Sequence, residues 1–283
     1  MAVSPAKLCN ATRVIKAAIK QTTKLSDAVI NVNRGDKIHR AFQIRPSEDR
    51  FWDSCLVEPV SDWAFLEMMA ELRRRSVDAA YKFYSAIQGS PNSSALGRRM
   101  LETYLHQFLR TMQTPRTFTI ESLDNRSATL KIHFTSNTNH LTFGAMKCFS
   151  GHLTSSVENN TSCYLQPLSP IFPSFDSFLY QPEISQSGFS PLIALQVTTT
   201  DDHAISIKGL EKVHRSLKLK VSELKDLRPT NARKMIILFV VPNTLGAAFV
   251  KQTINDAAKV GHWYEKTAQY VLMLSEKEVF QAT

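Results

Sequence analysis

The sequence predicts an α/β fold: a mixed sheet flanked by helices, preceded by a largely helical N-terminal region. Three observations lead there. Two apolar runs of strand length, PLIALQVTT and MIILFVVP, are bounded by proline or polar residues, as expected of strands buried on both faces. Stretches with helical periodicity separate these runs from each other and from a third run, TAQYVLMLS. Upstream, residues 1 to about 90 carry apolar residues at helical rather than strand spacing.

Taken in order, TRVIKAAIKQTTKL reads as a short basic amphipathic helix. WAFLEMMAELRRRSVDAAYKFYSAI places Phe65, Met68, Met69 and Leu72, then Ala79, Ala80, Phe83 and Ile87, on one face of a helix. Its Arg73-Arg74-Arg75 run reads as a solvated face, with a nucleic-acid patch as the alternative. QGSPNSS, residues 88–94, is a turn-rich linker. It separates a first region, 1–90, from a second, 95–283.

In the second region ALGRRMLETYLHQFLRTM reads as a helix with Leu101, Leu105, Phe108 and Leu109 as its apolar stripe. Glu102 and His106 then stand one turn apart on a neighbouring face. RTFTIESL and SATLKIHF alternate with period two and are joined by a turn, which predicts a hairpin. Residues 135–170 are polar and predict a hairpin or irregular loops. IFPSFDSFLY and SPLIALQVTT are strands. DDHAISIKGLEKVHRSLKLKVSELKDL is a helix beginning after Asp202, NARKMIILFVVP a strand, and TLGAAFVKQTINDAAKV a helix before the final strand.

Composition narrows the function classes. With 43% hydrophobic and 21% charged residues, the chain has the make-up of a globular protein rather than a disordered one. Its 34 Lys and Arg against 25 Asp and Glu give a net charge of +9, which suits a polyanionic partner or serves solubility alone. The four cysteines, Cys9, Cys55, Cys148 and Cys163, are far apart and lack zinc spacing, so free thiols in a reducing compartment are expected. Asn-x-Ser/Thr matches at Asn10, Asn92, Asn125, Asn159 and Asn160 carry weight only on a secretory route. The first residues hold no continuous apolar stretch of the kind a signal peptide needs, and no apolar run reaches the length of a membrane span.

The chain contains no P-loop, no GxGxxG, no GxSxG elbow and no HExxH. What remains is a set of polar residues at element ends: Glu102, Asp176, Gln196, Thr198 and His203. Gln196 and Thr198 are two apart and so share one side of their strand. If that strand pairs with the one bearing Asp176, the three converge. Carboxylate and amide oxygens can hold Mg²⁺, and a metal so placed activates water against a phosphodiester.

This order resembles the PD-(D/E)XK nuclease superfamily. More narrowly, it resembles the nuclease-like C-terminal domains of Crinkler effectors and retrotransposon-hot-spot proteins. GRRMLETYLHQFL looks like the family's opening helix, FTIESL like the strand after it, and SFDSFLY like the aspartate strand. LQVTTTDDHAISIKGL looks like the next strand and its helix, and ILFVVP and Trp263 with QYVLML like the closing strands. Together these cover roughly residues 95 to 275. DKIHRAFQIRPSEDRFWDSCLVEPVSDWAFLEMM is similar to the segment that follows an NTPase domain in long members, which implies a short or truncated member.

The resemblance implies a restriction-endonuclease-like fold and a Mg²⁺ (or Mn²⁺) site of Glu102, Asp176 and Gln196, with His203 or Lys208 assisting. It departs from the pattern at two positions: Gln196 stands where the second acidic ligand is expected, and Thr198 where the lysine is expected. The implied activity is metal-dependent cleavage of DNA; the alternative is a catalytically silent nuclease-fold module that binds nucleic acid or a host protein. Arg215, Lys218, Lys220, Arg233 and Lys234, with His214, are candidate phosphate contacts or a solvated face. Structural readings stand beside each site reading. Asp176 is alternatively a strand-end residue, and Gln196 with Thr198 a buried pair fixing register. Glu102 is alternatively a surface partner of Arg98 or Arg99, and His203 a helix-cap partner. The expected location is nucleus or cytoplasm, or a host cell if the protein is an effector, with no membrane partner.

Overall fold

The computed structural model describes residues 17, 19, 41–46, 55–76, 78–88, 93–112, 114–168, 172–218, 222–255 and 260–281. They fall into two compact units, 1–105 with 276–283, and 106–275.

The first unit contains an antiparallel pair, β1 (Phe42–Pro46) and β2 (Cys55–Pro59), in the region expected to be helical. Helix α1 (Asp62–Arg75) follows, its first turn capped by the Ser61 hydroxyl, which accepts the Ala64 amide at 3.1 Å. Phe65, Met68, Met69 and Leu72 form its buried stripe. The helix expected to run through residue 87 is two helices. Ser76 is extended and ends α1, and α2 (Ala79–Gln88) begins afresh. Arg73 and Arg74 are exposed, as a solvated face requires, and the run is also held by hydrogen bonds. Arg74 grips the buried Glu71 carboxylate through two hydrogen bonds of 2.8 and 2.7 Å, and Arg75 adds one at 3.2 Å. Arg75 also donates to the Ile19 carbonyl, and Arg73 to the Tyr104 hydroxyl. The basic amphipathic helix expected at the N-terminus lies outside the described residues except at 17 and 19, both helical. Helix α3 (Ser94–Thr111) leads out of this unit.

The second unit is built on one eight-stranded mixed sheet. Its strands are β3 (Arg116–Ser122), β4 (Thr129–Phe134), β5 (Asn139–Phe143), β6 (Cys163–Pro167), β7 (Ser177–Tyr180), β8 (Phe189–Val197), β10 (Lys234–Pro242) and β12 (Thr267–Leu274). Their order across the sheet is β4-β3-β12-β10-β8-β7-β6-β5. Strands β6, β8, β10 and β12 run together, with β7 reversed between β6 and β8. A separate two-residue pair, β9 (Ile205–Ser206) with β11 (Ile254–Asn255), lies outside the sheet. The remaining helices are α4 (Met146–Glu158), α5 (Ile207–Lys218), α6 (Asn243–Gly246) and α7 (Val260–Lys266); α8 (Glu276–Gln281) belongs to the first unit.

Strands β8 and β10 are buried along eight of their nine residues, which is why each reads as an unbroken apolar run. Leu192 and Ala194 of β8, Ile237 and Phe239 of β10 and Phe178 of β7 share one core. Phe149 and Leu153 of α4, Leu210 and Val213 of α5, and Trp263 of α7 cover it. The sheet curls. Its two outermost strands, β4 and β5, are joined by only residues 135–138, and the His133 amide of β4 donates to the Gln181 side chain beyond β7 at 3.2 Å.

The helix expected to run through residue 227 ends as α5 at Lys218, with a separate 3₁₀ helix at Ser222–Leu227, and two further segments of this unit differ from expectation. Residues 139–167 form a β5–α4–β6 crossover with parallel strands, not a hairpin or irregular loops. The polar residues that masked α4 are absorbed within it: Ser150 and Thr154 donate to carbonyls one turn back, at 3.0 Å each. The helix expected over 244–260 stops after the single turn α6. The Arg126 guanidinium, reaching from the β3–β4 turn, takes the Gly246 carbonyl at 3.1 Å and also the Phe249 carbonyl. A methyl at Gly246 would meet the Met273 side chain at 2.3 Å, so the close approach here needs glycine.

Candidate functional site

The strand pairing brings Asp176 and Gln196 side by side. Ser177 faces Leu195 across the β7–β8 ladder, so the residue before β7 stands beside the next residue of β8. The Asp176 amide donates to the Leu195 carbonyl at 2.9 Å, and one carboxylate oxygen accepts the Val197 amide at 2.7 Å. Asp176 thus bridges the residues on either side of Gln196 and is half-buried. Gln196 is 1% exposed, and its Oε1 has no hydrogen-bond partner among the described residues. It shares the strand parity of Leu192 and Ala194, and so the sheet face that α5 covers. A buried carbonyl oxygen left without a donor is costly, and a bound cation or water relieves that cost.

Thr198 lies one residue beyond β8 and is fully buried. Its backbone amide continues the ladder to the Val240 carbonyl at 3.1 Å. Its hydroxyl accepts the Thr200 amide at 3.1 Å and contacts the Thr200 carbonyl and hydroxyl at 3.2 Å. The side chain therefore shapes the turn that carries the chain out of the sheet.

Helix α5 begins beside the segment leading to Asp176. Ser174 adopts φ +66°, a conformation uncommon for a residue with a side chain, and its hydroxyl accepts the Ser206 amide at 2.6 Å. A methyl at Gly209 would come within 2.3 Å of the Pro173 carbonyl oxygen, so only glycine lets the first turn seat this closely. Lys208, in that same turn, is exposed. The loop between β8 and β9 is held by a glutamine adaptor invisible to sequence reasoning. Gln252 accepts the His203 amide at 2.6 Å and donates to the carbonyls of Asp201 and Val250 at 2.8 and 2.7 Å. Gln252 and the buried Gln269 of β12 also exchange two hydrogen bonds, of 2.7 and 2.8 Å, through the Gln252 backbone. His203 is thus fixed through its backbone and is half-exposed.

The other sequence candidates are dispersed. Glu102 lies on α3 in the first unit, whereas Asp176, Gln196, Thr198, His203 and Lys208 lie in the second. Arg99, an expected partner of Glu102, instead pairs with Asp62 at 2.6 Å. His106 is buried, with Nδ1 2.6 Å from the Tyr164 hydroxyl, which donates to Ser177 Oγ at 2.8 Å. His214 packs its edge against Trp263, with ring centroids 5.6 Å apart. Arg233 pairs with Asp226 at 3.2 Å and donates to the Lys225 carbonyl. Lys234 is the half-buried first residue of β10, and Arg215 is exposed on α5. Lys218 ends α5, and Lys220 lies outside the described residues.

Among the described residues, no three His, Cys, Asp or Glu side chains come together as a metal-binding group. The residues whose chemistry suits a hard cation are Asp176, a half-buried carboxylate, and its neighbour Gln196, whose buried amide oxygen has no donor among the described residues. Such a set carries a single negative charge and suits a Mg²⁺ that keeps several other oxygen ligands. No family model, no curated protein and no solved structure matches the chain.

Proposed function

We propose that the second unit is a nuclease-like module of the PD-(D/E)XK restriction-endonuclease type, acting with Mg²⁺ on DNA phosphodiesters, in a protein related to the Crinkler and retrotransposon-hot-spot group. The observation that carries the reading is the position of Asp176 at the junction of β7 and β8, bonded through its amide to Leu195 and through its carboxylate to Val197, the two neighbours of Gln196. The run β6-β7-β8-β10-β12 with β7 alone reversed supports it, because a helix and a strand follow β8 in the order that superfamily uses. In this reading Asp176 supplies the anionic donor and Gln196 the amide oxygen. A Mg²⁺ held by these residues would supply Lewis-acid chemistry, activating a water and offsetting charge on the phosphoryl oxygens. Lys208, exposed in the first turn of α5, is the cation placed to meet a phosphate in lieu of the lysine absent at 198.

Plasmid nicking tests this directly. Nicking is expected in Mg²⁺, is expected to vanish in EDTA, and is expected to be lost in Asp176→Asn. Undiminished nicking in EDTA would refute the metal mechanism.

A second reading, a silent nuclease-fold binding module, draws on a specific feature. Thr198 is committed to its turn, and the site carries one carboxylate rather than two. Losing an electrostatic stabiliser of a transition state costs roughly a hundred- to a thousandfold in rate. DNA binding that is undiminished in Asp176→Asn, with no nicking by either protein, would select this reading.

A further inference from the structure

The basic residues of α5 divide into two sets once the helix is seated. Ile207, Leu210, Val213 and Leu217 form its buried stripe, and His214 turns toward Trp263 on the edge of that stripe. Ser216 is buried as well, its carbonyl accepting the Ser150 hydroxyl of α4 at 3.1 Å. Lys208, Lys212 and Arg215 are left on the opposite flank, at spacings of four and three residues. Lys208 and Arg215 are exposed and Lys212 half-exposed. The three cations therefore form one ridge, rising about 10 Å along the helix axis.

The ridge is fixed in place. Its Lys208 end lies in the turn seated on Pro173 and Ser174, two residues before Asp176. Lys212 Nζ stands 4.4 Å from the centre of the Phe172 ring, a cation–π contact that orients the ammonium. Arg215 donates to the Glu211 carbonyl at 3.3 Å, and its guanidinium lies 3.7 Å from the Glu211 carboxylate, an exposed pair worth little in water. The candidates His214, against Trp263, and Arg233, paired with Asp226, are both engaged elsewhere.

We infer that this ridge is the track along which a nucleic-acid backbone lies, with its Lys208 end directed to the Asp176–Gln196 pair. The inference rests on the nuclease-fold reading and names the surface that would hold its substrate. The ridge is assigned to phosphate contacts, which position a backbone but carry no sequence information, so binding along it is independent of sequence.

The test is the salt dependence of binding to a short DNA duplex, without metal, by fluorescence anisotropy. Each phosphate neutralised contributes about 0.9 to the log–log slope. Changing Lys208, Lys212 and Arg215 together to Gln is therefore expected to lower the slope by about 2.7. That corresponds to the loss of about a 40-fold change in affinity between 50 and 200 mM salt. Arg233→Gln is expected to leave the slope unchanged. An unchanged slope in a folded triple variant, absence of binding at low salt, or a preference for phosphatidylserine vesicles over DNA would each overturn the track. Mg²⁺ binding lost in Asp176→Asn would still stand in those cases, so failure of the track is separable from failure of the metal site.

Discussion

At the scale of residues, Gln196 decides how the site behaves. Its oxygen has no hydrogen-bond partner among the described residues, and Asp176, next to it across the strands, has its carboxylate bound to the Val197 amide, so the two residues supply an amide oxygen and a single charge. Gln196→Glu adds the second charge. Two adjacent carboxylates repel, so without metal this variant is expected to be less stable and to take up a proton near neutral pH. With Mg²⁺ it is expected to melt higher than the wild type, which differential scanning fluorimetry with and without the ion would show. A lysine at 198, as the proposed nuclease type would carry, cannot be introduced in the same way. Thr198 is fully buried and accepts the Thr200 amide, so Thr198→Lys buries a charge and breaks the turn. That variant is expected to lose several kcal/mol (roughly 3–5, as for an uncompensated buried charge) in denaturant unfolding.

At the scale of elements, the latch made by Arg126 explains the least expected feature of the fold. Residues 244–260 have helical spacing, yet α6 ends after one turn, where a guanidinium from the β3–β4 turn takes the carbonyl of its last residue, Gly246, and that of Phe249 just beyond it. Within the hairpin Arg126 also pairs with Glu121 at 3.2 Å, and Lys251 pairs with Asp124 at 2.5 Å, tying the same two segments together. Arg126→Ala is expected to cost about 1.5–3 kcal/mol, the range for hydrogen bonds to a charged group, read as a lower urea midpoint at constant m. Such long-range capture leaves no periodic trace, which is why the sequence suggested a helix there. The β3–β4 hairpin, β8, β10 and β12 were legible because alternation or an unbroken apolar run survives in the sequence. The β5–α4–β6 crossover was not, since its helix buries Phe149 and Leu153 among Ser and Thr that bond back to their own turn. In the site, the shared parity of Gln196 and Thr198 followed from the two-residue period of a strand. The neighbour relation with Asp176 was conditional on a pairing that only the register supplies. The Gln252–Gln269 adaptor was beyond reach, because it joins residues 17 apart through backbone groups.

At the scale of the whole molecule, each unit contains a group whose pKa ties folding to pH. Hydrogen bonds from Arg74, opposed by burial and aided by Arg75, hold the Glu71 carboxyl at about 2 against an ordinary 4.5. Its stabilising contribution is present above 4.5 and is lost as pH falls toward 2. Burial, helped by the nearby Arg110 charge, holds the His140 imidazole below its ordinary 6.5. The folded state therefore binds that proton less readily than the unfolded chain, and stability falls as pH drops below 6.5. Melting temperature is expected to decline in two steps on acidification. Glu71→Gln is expected to remove the lower step and His140→Asn the upper one. Both steps persisting in the corresponding variants would contradict these assignments. The central claim is that Asp176 and Gln196 together hold a divalent cation, and calorimetric titration of the full chain with Mg²⁺ tests it most directly. The account predicts weak one-to-one binding by the wild type, tighter binding by Gln196→Glu, and none by folded Asp176→Asn. Equal Mg²⁺ binding by the wild type and Asp176→Asn, or none by either the wild type or Gln196→Glu, would contradict it.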